Sequence, residues 1–134
     1  MIVIRQPLKI PDEKLDQLGP VKVPLSAPAA RLIGHRYIDE APGIDSMGIW
    51  ECSPGRWRRT IMQEEFAHFL KGRAIFTPEG GEPVEIVAGD TVWFPKNSRG
   101  VWDIVEDSRK VYVVIERPGP IRKLKNLIKR AFRR

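Results

Sequence analysis

The feature that most limits the fold is a regular alternation of short apolar runs with turn signals from Arg31 onward. β-Branched and aromatic residues fill the runs, whereas Gly, Pro and Asn fill the breaks between them. The breaks are Ala-Pro-Gly at 41–43, Ser-Pro-Gly at 53–55, Gly-Gly at 80–81 and Pro-Lys-Asn at 95–97. Short strands at this spacing predict an all-β sandwich or barrel of the jelly-roll kind.

The apolar runs define the candidate strands of this barrel. Their predicted bounds are 32–39, 46–52, 56–61, 65–77, 83–87, 91–94, 100–106 and 109–117. Because successive side chains of a strand point to opposite faces, alternate residues are expected to line the interior.

The segment before the strands is rich in proline, with prolines at 7, 11, 20, 24 and 28. Proline lacks a backbone donor, so this density disfavours both a helix and a central strand. We therefore expect residues 1–30 to form an extended arm, available to cross to a second subunit.

Length and composition indicate one domain. A chain of 134 residues buries its own core without a disulfide or a structural metal. Cys52 is the single cysteine and cannot form an internal disulfide, so it is expected to be apolar filler, with a reactive thiol as the alternative.

No apolar run approaches the ~20 residues that span a bilayer, and the opening Met-Ile-Val-Ile is too short for a signal peptide. A cytoplasmic location is the default expectation.

Two segments, 55–72 and 89–102, resemble the two halves of the cupin motif. In the first half Glu65 and Gly72 keep the motif's spacing, and in the second half Gly89 and Pro95 do so. The other matching residues are Pro54-Gly55, Gly80-Gly81, Asp90, Phe94, Gly100-x-Trp102 and Arg109-Lys110-x-Tyr112. These matches cover about half of the chain.

The branch that these residues most resemble contains (S)-ureidoglycine aminohydrolase and the ethanolamine-utilisation cupins, many of whose small members have no assigned activity. The resemblance implies a single-domain, RmlC-like jelly-roll barrel over residues 31–118. It also implies a homodimer, since such cupins commonly pair through sheet edges and an unpaired edge is a liability. A metal-dependent, aminohydrolase-type enzyme is one function that the resemblance suggests.

The three imidazole positions of the motif hold no histidine. Counting from Glu65 and Pro95, they fall on Arg58 and Thr60, or on Arg59 and Ile61 if the shorter gap applies, and on Gly100. Zinc, iron and manganese need several lone-pair donors that converge on one point, and a guanidinium offers only a repelling charge. We therefore expect neither a metal nor another cofactor in the barrel.

With the imidazoles replaced, we expect a pocket for a small polar or anionic metabolite. Its predicted ligand-binding residues are Arg58, Thr60, Glu65, Trp102 and Tyr112. Charged groups orient such a ligand, and an indole packs against it. The alternative is a purely structural ion pair between Glu65 and Arg58.

If the chain is an enzyme, Glu65 is the best candidate for its general acid or base, followed by Tyr112 and Lys110. The two histidines offer less. His68 has the opposite strand parity to Glu65 and is expected to face away from the cavity, and His35 has no spaced partner. A metal held by His35 or His68, outside the motif, remains an open alternative.

The second unusual feature is the basic C-terminal segment, 119–134. Its seven cations are Arg122, Lys123, Lys125, Lys129, Arg130, Arg133 and Arg134, and the rest of the chain carries 16 Lys and Arg against 17 Asp and Glu. On a helix, its apolar residues share a face of roughly 140°. They are Ile121, Leu124, Leu127, Ile128, Ala131 and Phe132. The pattern predicts a basic amphipathic helix.

This helix has three candidate partners. The first is the barrel, on which the apolar face would pack while the cations stay solvated. The second is an anionic membrane, where each basic residue contributes on the order of 1 kcal/mol. Docking of 121–134 would place the chain on the inner membrane surface. Nucleic acid is disfavoured because no base-stacking aromatic residues alternate with the cations.

Three functions follow from the sequence. The favoured one is a metal-independent cupin that binds a small polar or anionic metabolite. The second is the metal-dependent enzyme, and the third is a dimeric scaffold that docks on a membrane or a partner through the basic tail. Whether a reaction is catalysed stays open.

Overall fold

The computed structural model describes residues 2–38, 41–117 and 120–132, and within the last range the side chains of residues 124 and 127–132. A short 3-10 helix spans Asp12–Lys14, and the strands are β1 Asp16–Pro20, β2 Arg31–Ile38, β3 Ile44–Cys52, β4 Gly55–Ile61, β5 Glu64–Pro78, β6 Val84–Val87, β7 Thr91–Phe94 and β8 Ser98–Ile115. Helix α1 follows at Pro120–Phe132. The prediction of an all-β fold with one C-terminal helix is confirmed.

Two long strands, β5 and β8, hold the barrel together. They pair with each other along most of their length, and each also pairs with different neighbours at its two ends. The first part of β5 pairs with β7 and its second part with β6, whereas β8 pairs first with β4 and then with β3. Each long strand therefore serves both layers of the jelly roll. The apolar pattern predicted two strands, 100–106 and 109–117, where the structure has the single strand β8.

A glycine allows β5 to bend between the layers. The pairing of β5 with β8 shifts register between Phe69 and Ala74, and Gly72 lies in this stretch with a φ of +98°. A Cβ at this position would overlap the backbone of Asp107 and Ser108 on β8. Only glycine combines this backbone conformation with so close an approach of two strands.

The core between the layers is aromatic. The ring of Trp102 lies 4.7 Å from Phe76, 5.7 Å from Phe69 and 6.2 Å from Phe94, measured between centroids. All four side chains are buried. Burial of each such side chain stabilises the fold by roughly 1.5–3 kcal/mol, and the cluster fills the middle of the barrel.

The N-terminal arm lies on its own barrel and forms an edge strand there. β1 pairs with the edge of β2, where the backbone groups of β1 find hydrogen-bond partners. Further along, Leu25 donates its backbone N–H to the carbonyl of Arg56, so the arm also covers the edge of β4. The short 3-10 helix at Asp12–Lys14 interrupts the expected extended arm, whereas β1 keeps Asp16–Pro20 extended.

Helix α1 agrees in position with the predicted tail helix. Arg133 and Arg134, and the predicted domain boundary at 118–119, lie outside the described residues. No helix in the described part of the chain is long and apolar enough to span a membrane.

Candidate functional site

A cavity of about 220 Å³ lies at the end of the barrel where β3 begins and β8 ends. Side chains from β2, β3, β4, β5 and β8 line it. Those that matter most for its chemistry are Arg36, Trp50, Arg59, Glu65, Lys110 and Tyr112. Glu65, Lys110 and Tyr112 were named from the sequence as site residues, and Arg59 as a motif position in the alternative register.

Glu65 is the centre of the cavity's charge network and is only 4% exposed. One carboxylate oxygen accepts a hydrogen bond from Lys110 Nζ at 2.9 Å, and the other accepts one from Arg59 Nη2 at 3.1 Å. A buried carboxylate is tolerated only when it is paired in this way. Two cations therefore converge on one carboxylate.

Lys110 is enclosed by aromatic rings. Its ammonium lies 4.5 Å from the ring centroid of Trp50, 5.7 Å from that of Phe94 and 6.0 Å from that of Phe69. Cation–π contacts of this kind stabilise a desolvated charge. An ammonium has three donors, and among the described residues only Glu65 accepts a hydrogen bond from it. Lys110 therefore keeps donors for a ligand.

The charges of the pair depend on each other. Burial raises the pKa of Glu65, but Lys110 and Arg59 outweigh burial and hold that pKa below its usual value. Burial lowers the pKa of Lys110, and the attraction of Glu65 opposes that effect. The carboxylate is therefore ionised at neutral pH.

Tyr112 adds a hydroxyl group to the cavity wall. It lies on β8 two residues after Lys110, so both side chains point to the same face of the strand. Burial raises the pKa of Tyr112, and the neighbouring Arg36 guanidinium lowers it by less. The phenol thus stays protonated at neutral pH and retains a hydrogen that it can donate.

Two predicted site residues, Arg58 and Thr60, are exposed rather than inside the barrel. The inward residues of β4 are Trp57, Arg59 and Ile61, because the core buries Trp57 and Ile61. Since strand parity is fixed, their neighbours must face outward. The expectation of an inward Arg58, and of its ion pair with Glu65, is wrong: Arg59 makes that pair.

Trp102 also lies away from the cavity. It is fully buried in the aromatic core, and Trp50 provides the aromatic wall of the cavity instead. The third imidazole position, Gly100, pairs with Arg59, and a side chain there would overlap the ring of Phe76. The Phe76 ring thus fills space that the motif gives to a ligand.

Arg59 was predicted only as an imidazole position in the alternative register of the motif, and Arg36 and Trp50 were not predicted as cavity residues. A usable signal was present for Arg59, since it alternates with the apolar residues Trp57 and Ile61. Nothing in the sequence brings Arg36 to the same cavity, because β2 enters through strand pairing with β3.

The residues at the motif's metal position do not fit a divalent cation. Glu65 is the lone carboxylate there, and both of its oxygens already face cations. In the described ranges, no group of three or more His, Cys, Asp and Glu side chains is placed to hold a metal. His35 lies 3.5 Å from Asp16, and His68 has the outward parity on β5. This donor set gives no support to metal-dependent aminohydrolase chemistry.

A comparison with protein families matches residues 40–112 to the EutQ-like cupin domain. The chain belongs to this family. The match spans the cavity strands β3, β4 and β5 and the inward residues of β8 up to Tyr112. A comparison with curated proteins gave no match.

Solved structures of cupins are similar to the chain in fold. The EutQ protein of Clostridium difficile is 20% identical, with a TM-score of 0.58 over 71% of this chain and 80% of that one. A Pseudomonas syringae protein of unknown function is 21% identical, with a TM-score of 0.67 over 75% and 43% of the respective chains. A predicted oxalate decarboxylase of Thermotoga maritima is 15% identical, with a TM-score of 0.62 over 84% and 98%. At these identities the similarity concerns the fold alone, and it confirms the predicted cupin barrel.

Proposed function

We propose that this EutQ-like cupin binds a small anion, such as a carboxylate metabolite, in the cavity beside Glu65, and does so without a metal. The observation that carries the proposal is the pair of cations, Arg59 and Lys110, on one buried carboxylate. Within the described residues, each of these cations has a single protein acceptor and keeps further donors. A bound anion would satisfy them.

The charge balance of the cavity also favours an anion. Arg36, Arg59 and Lys110 oppose Asp45 and Glu65, which leaves one net positive charge. A guanidinium matches a carboxylate with two parallel hydrogen bonds, and a desolvated site strengthens them. The volume of about 220 Å³ lies below the range that drug-sized ligands usually occupy, so the ligand would be small.

Glu65 would act on such a ligand as a proton acceptor. Its lowered pKa keeps it ionised at neutral pH, so it is available as a weak general base and not as a general acid. Lys110 and Tyr112 are the neighbouring proton donors. Binding without turnover is compatible with the same arrangement. If a reaction occurs, the wild type forms a product and Glu65→Gln abolishes its formation; if the protein only binds, neither forms a product.

The test is a thermal-shift screen of small carboxylates and phosphates, followed by calorimetric titration of each compound that stabilises the protein. Arg59→Met is expected to weaken binding by at least about tenfold, since a charge-assisted hydrogen bond is worth ~1.5–3 kcal/mol. Arg58→Met is the matched control, because Arg58 is the adjacent residue on β4 but is exposed. Equal losses in both variants, or no stabilising anion, would reject the proposal.

We also propose that the barrel forms a homodimer through its outer sheet face. Phe66 and Trp93 are directly paired on neighbouring strands and are 43% and 56% exposed. Val113 on β8 pairs with Phe66 and extends the apolar row. A second copy would bury this row. Light scattering should give a dimer that Trp93→Lys converts to a monomer, and a monomeric wild-type chain would contradict this.

A further inference from the structure

Helix α1 exposes the large apolar side chains that the structure describes on it. Leu124 is 58% exposed, Leu127 60%, Ile128 47% and Phe132 85%. On a helix these residues lie on one face. An isolated helix of this length is only marginally stable in water, so it needs a surface to fold against. The barrel does not bury the side chains of Leu124, Leu127, Ile128 and Phe132, so another surface is available to them.

The charge of the segment identifies the kind of surface. Seven cations and no acid lie in residues 121–134, while the rest of the chain is close to neutral. Lys129 and Arg130 are among the exposed residues of α1. A partner must therefore offer negative charge beside an apolar phase.

We propose that α1 docks the protein on an anionic lipid surface. The helix lies in the plane of the interface, with its apolar face in the acyl boundary and its cations at the lipid phosphates. Each cation near such a surface contributes on the order of 1 kcal/mol. With 13 residues, α1 is shorter than the ~20 residues that cross a bilayer, so it lies on the membrane and does not span it. Nucleic acid would neutralise the cations but leave the apolar face in water.

Docking would also bring the cavity close to the lipid surface. α1 begins five residues after Ile115, the last residue of β8, and Val114 lines the cavity. Five extended residues reach at most roughly 18 Å. This short connection between β8 and α1 therefore keeps the cavity end of the barrel, and not the opposite end, near the bilayer.

The first test uses the full chain and phosphatidylcholine vesicles prepared with or without phosphatidylserine. Co-sedimentation is expected only with phosphatidylserine and is expected to fall as salt rises, because exposed charges are screened. No binding to either vesicle, or equal binding to both, would overturn the proposal. So would binding to a nucleic acid duplex without binding to vesicles.

Matched variants test the geometry of docking. Leu127→Glu with Ile128→Glu is expected to abolish vesicle binding, whereas Val105→Glu, at an exposed apolar residue of the barrel, is expected to leave it unchanged. Lys129→Glu with Arg130→Glu should weaken binding by at least about tenfold, unlike the same change at the exposed Arg56 and Arg58 of β4. Circular dichroism melts confirm that each variant keeps its fold. Binding that survives the Leu127 and Ile128 changes, or that the barrel changes reduce equally, would contradict docking through α1.

Discussion

Arg109 and Lys110 are neighbours on β8, yet their side chains belong to two different charge clusters. Arg109 pairs with Glu51 at 2.8 Å on one side of the strand, and Lys110 pairs with Glu65 at 2.9 Å on the other. All four side chains are almost fully buried. Burial and ion pairing alone therefore do not distinguish a structural cluster from a binding site.

The two clusters differ in how completely the protein satisfies their donors. Besides Glu51, Arg109 donates to Asp12 at 2.6 Å and to the carbonyls of Pro7 and Ile10 at 2.7 and 2.6 Å. These contacts fasten the N-terminal arm to the barrel. Lys110 has one acceptor among the described residues and faces a cavity. A satisfied buried cluster stabilises the fold, whereas one with donors to spare is suited to a ligand.

The largest expected effect on stability is at Arg109, Glu51 and Asp12, here called the arm cluster. Arg109→Met leaves the carboxylate of Glu51 buried without its main partner and releases the arm, so we expect a loss of about 3–5 kcal/mol of unfolding free energy. Urea denaturation measures it. The variant's folded fraction should still bind the anion. A loss below about 1 kcal/mol would show that the arm cluster is not structural.

The coupling energy between Glu65 and Lys110 in the cavity should be smaller than the loss of stability in Arg109→Met. Glu65→Gln leaves the buried ammonium of Lys110 without its counter-charge, and Lys110→Met leaves Glu65 with Arg59 as its remaining partner. The double variant should therefore be less destabilised than the sum of the singles by ~0.5–3 kcal/mol. Chemical denaturation of the three variants gives this coupling energy. Additive effects would mean that the two side chains do not stabilise each other in solution.

The dependence of stability on pH isolates the carboxylate of the cavity. The pKa of Glu65 is lower in the folded protein than the ordinary value of 4.5, so its contribution to stability is complete above that pH. It is lost as the pH falls through the folded value. Between pH of about 5 and 3, the wild type should lose more unfolding free energy than Glu65→Gln. Parallel acid denaturation curves would contradict this.

The smallest expected effect is at Arg58. This exposed side chain should contribute within about 0.5 kcal/mol to stability, so Arg58→Met should leave both the urea midpoint and anion affinity unchanged. A clear loss of affinity would restore the inward position of Arg58 that strand counting from the motif first indicated.

The sequence predicted the barrel well because its signals are local. Turn residues, strand alternation and the glycines of the motif each act within a few residues. Gly72 shows this, since its conformation and the bend of β5 depend on glycine itself. The continuous β8 was missed because the polar run Glu106-Asp107-Ser108 interrupts its apolar pattern and resembles a turn.

The site was predicted only in part, because its residues depend on strand parity and long-range packing. Glu65, Lys110 and Tyr112 lie in the cavity, but a one-residue difference in the motif's gap exchanged Arg59 for Arg58. Trp102 was misplaced because the sequence does not reveal that Phe76 fills the space opposite Gly100. Ligand binding by these residues stays a prediction.

The arm cluster could not be predicted at all. Arg109 meets Pro7, Ile10 and Asp12 across 97 to 102 residues of sequence. No periodic pattern links positions so far apart, and the proline content of the arm predicted an extended segment available to cross to a second subunit.

The most direct test of the difference between the two clusters compares one substitution at two lysines. Lys71 lies 3.0 Å from Glu51 in the arm cluster, as Lys110 lies 2.9 Å from Glu65 in the cavity. The melting temperature of each Lys→Met variant is measured against the concentration of the best anion from the screen, since a ligand stabilises only a protein that binds it. We predict that Lys71→Met keeps the anion-dependent rise and Lys110→Met loses it. A rise that persists in Lys110→Met would show that the cavity is not the binding site.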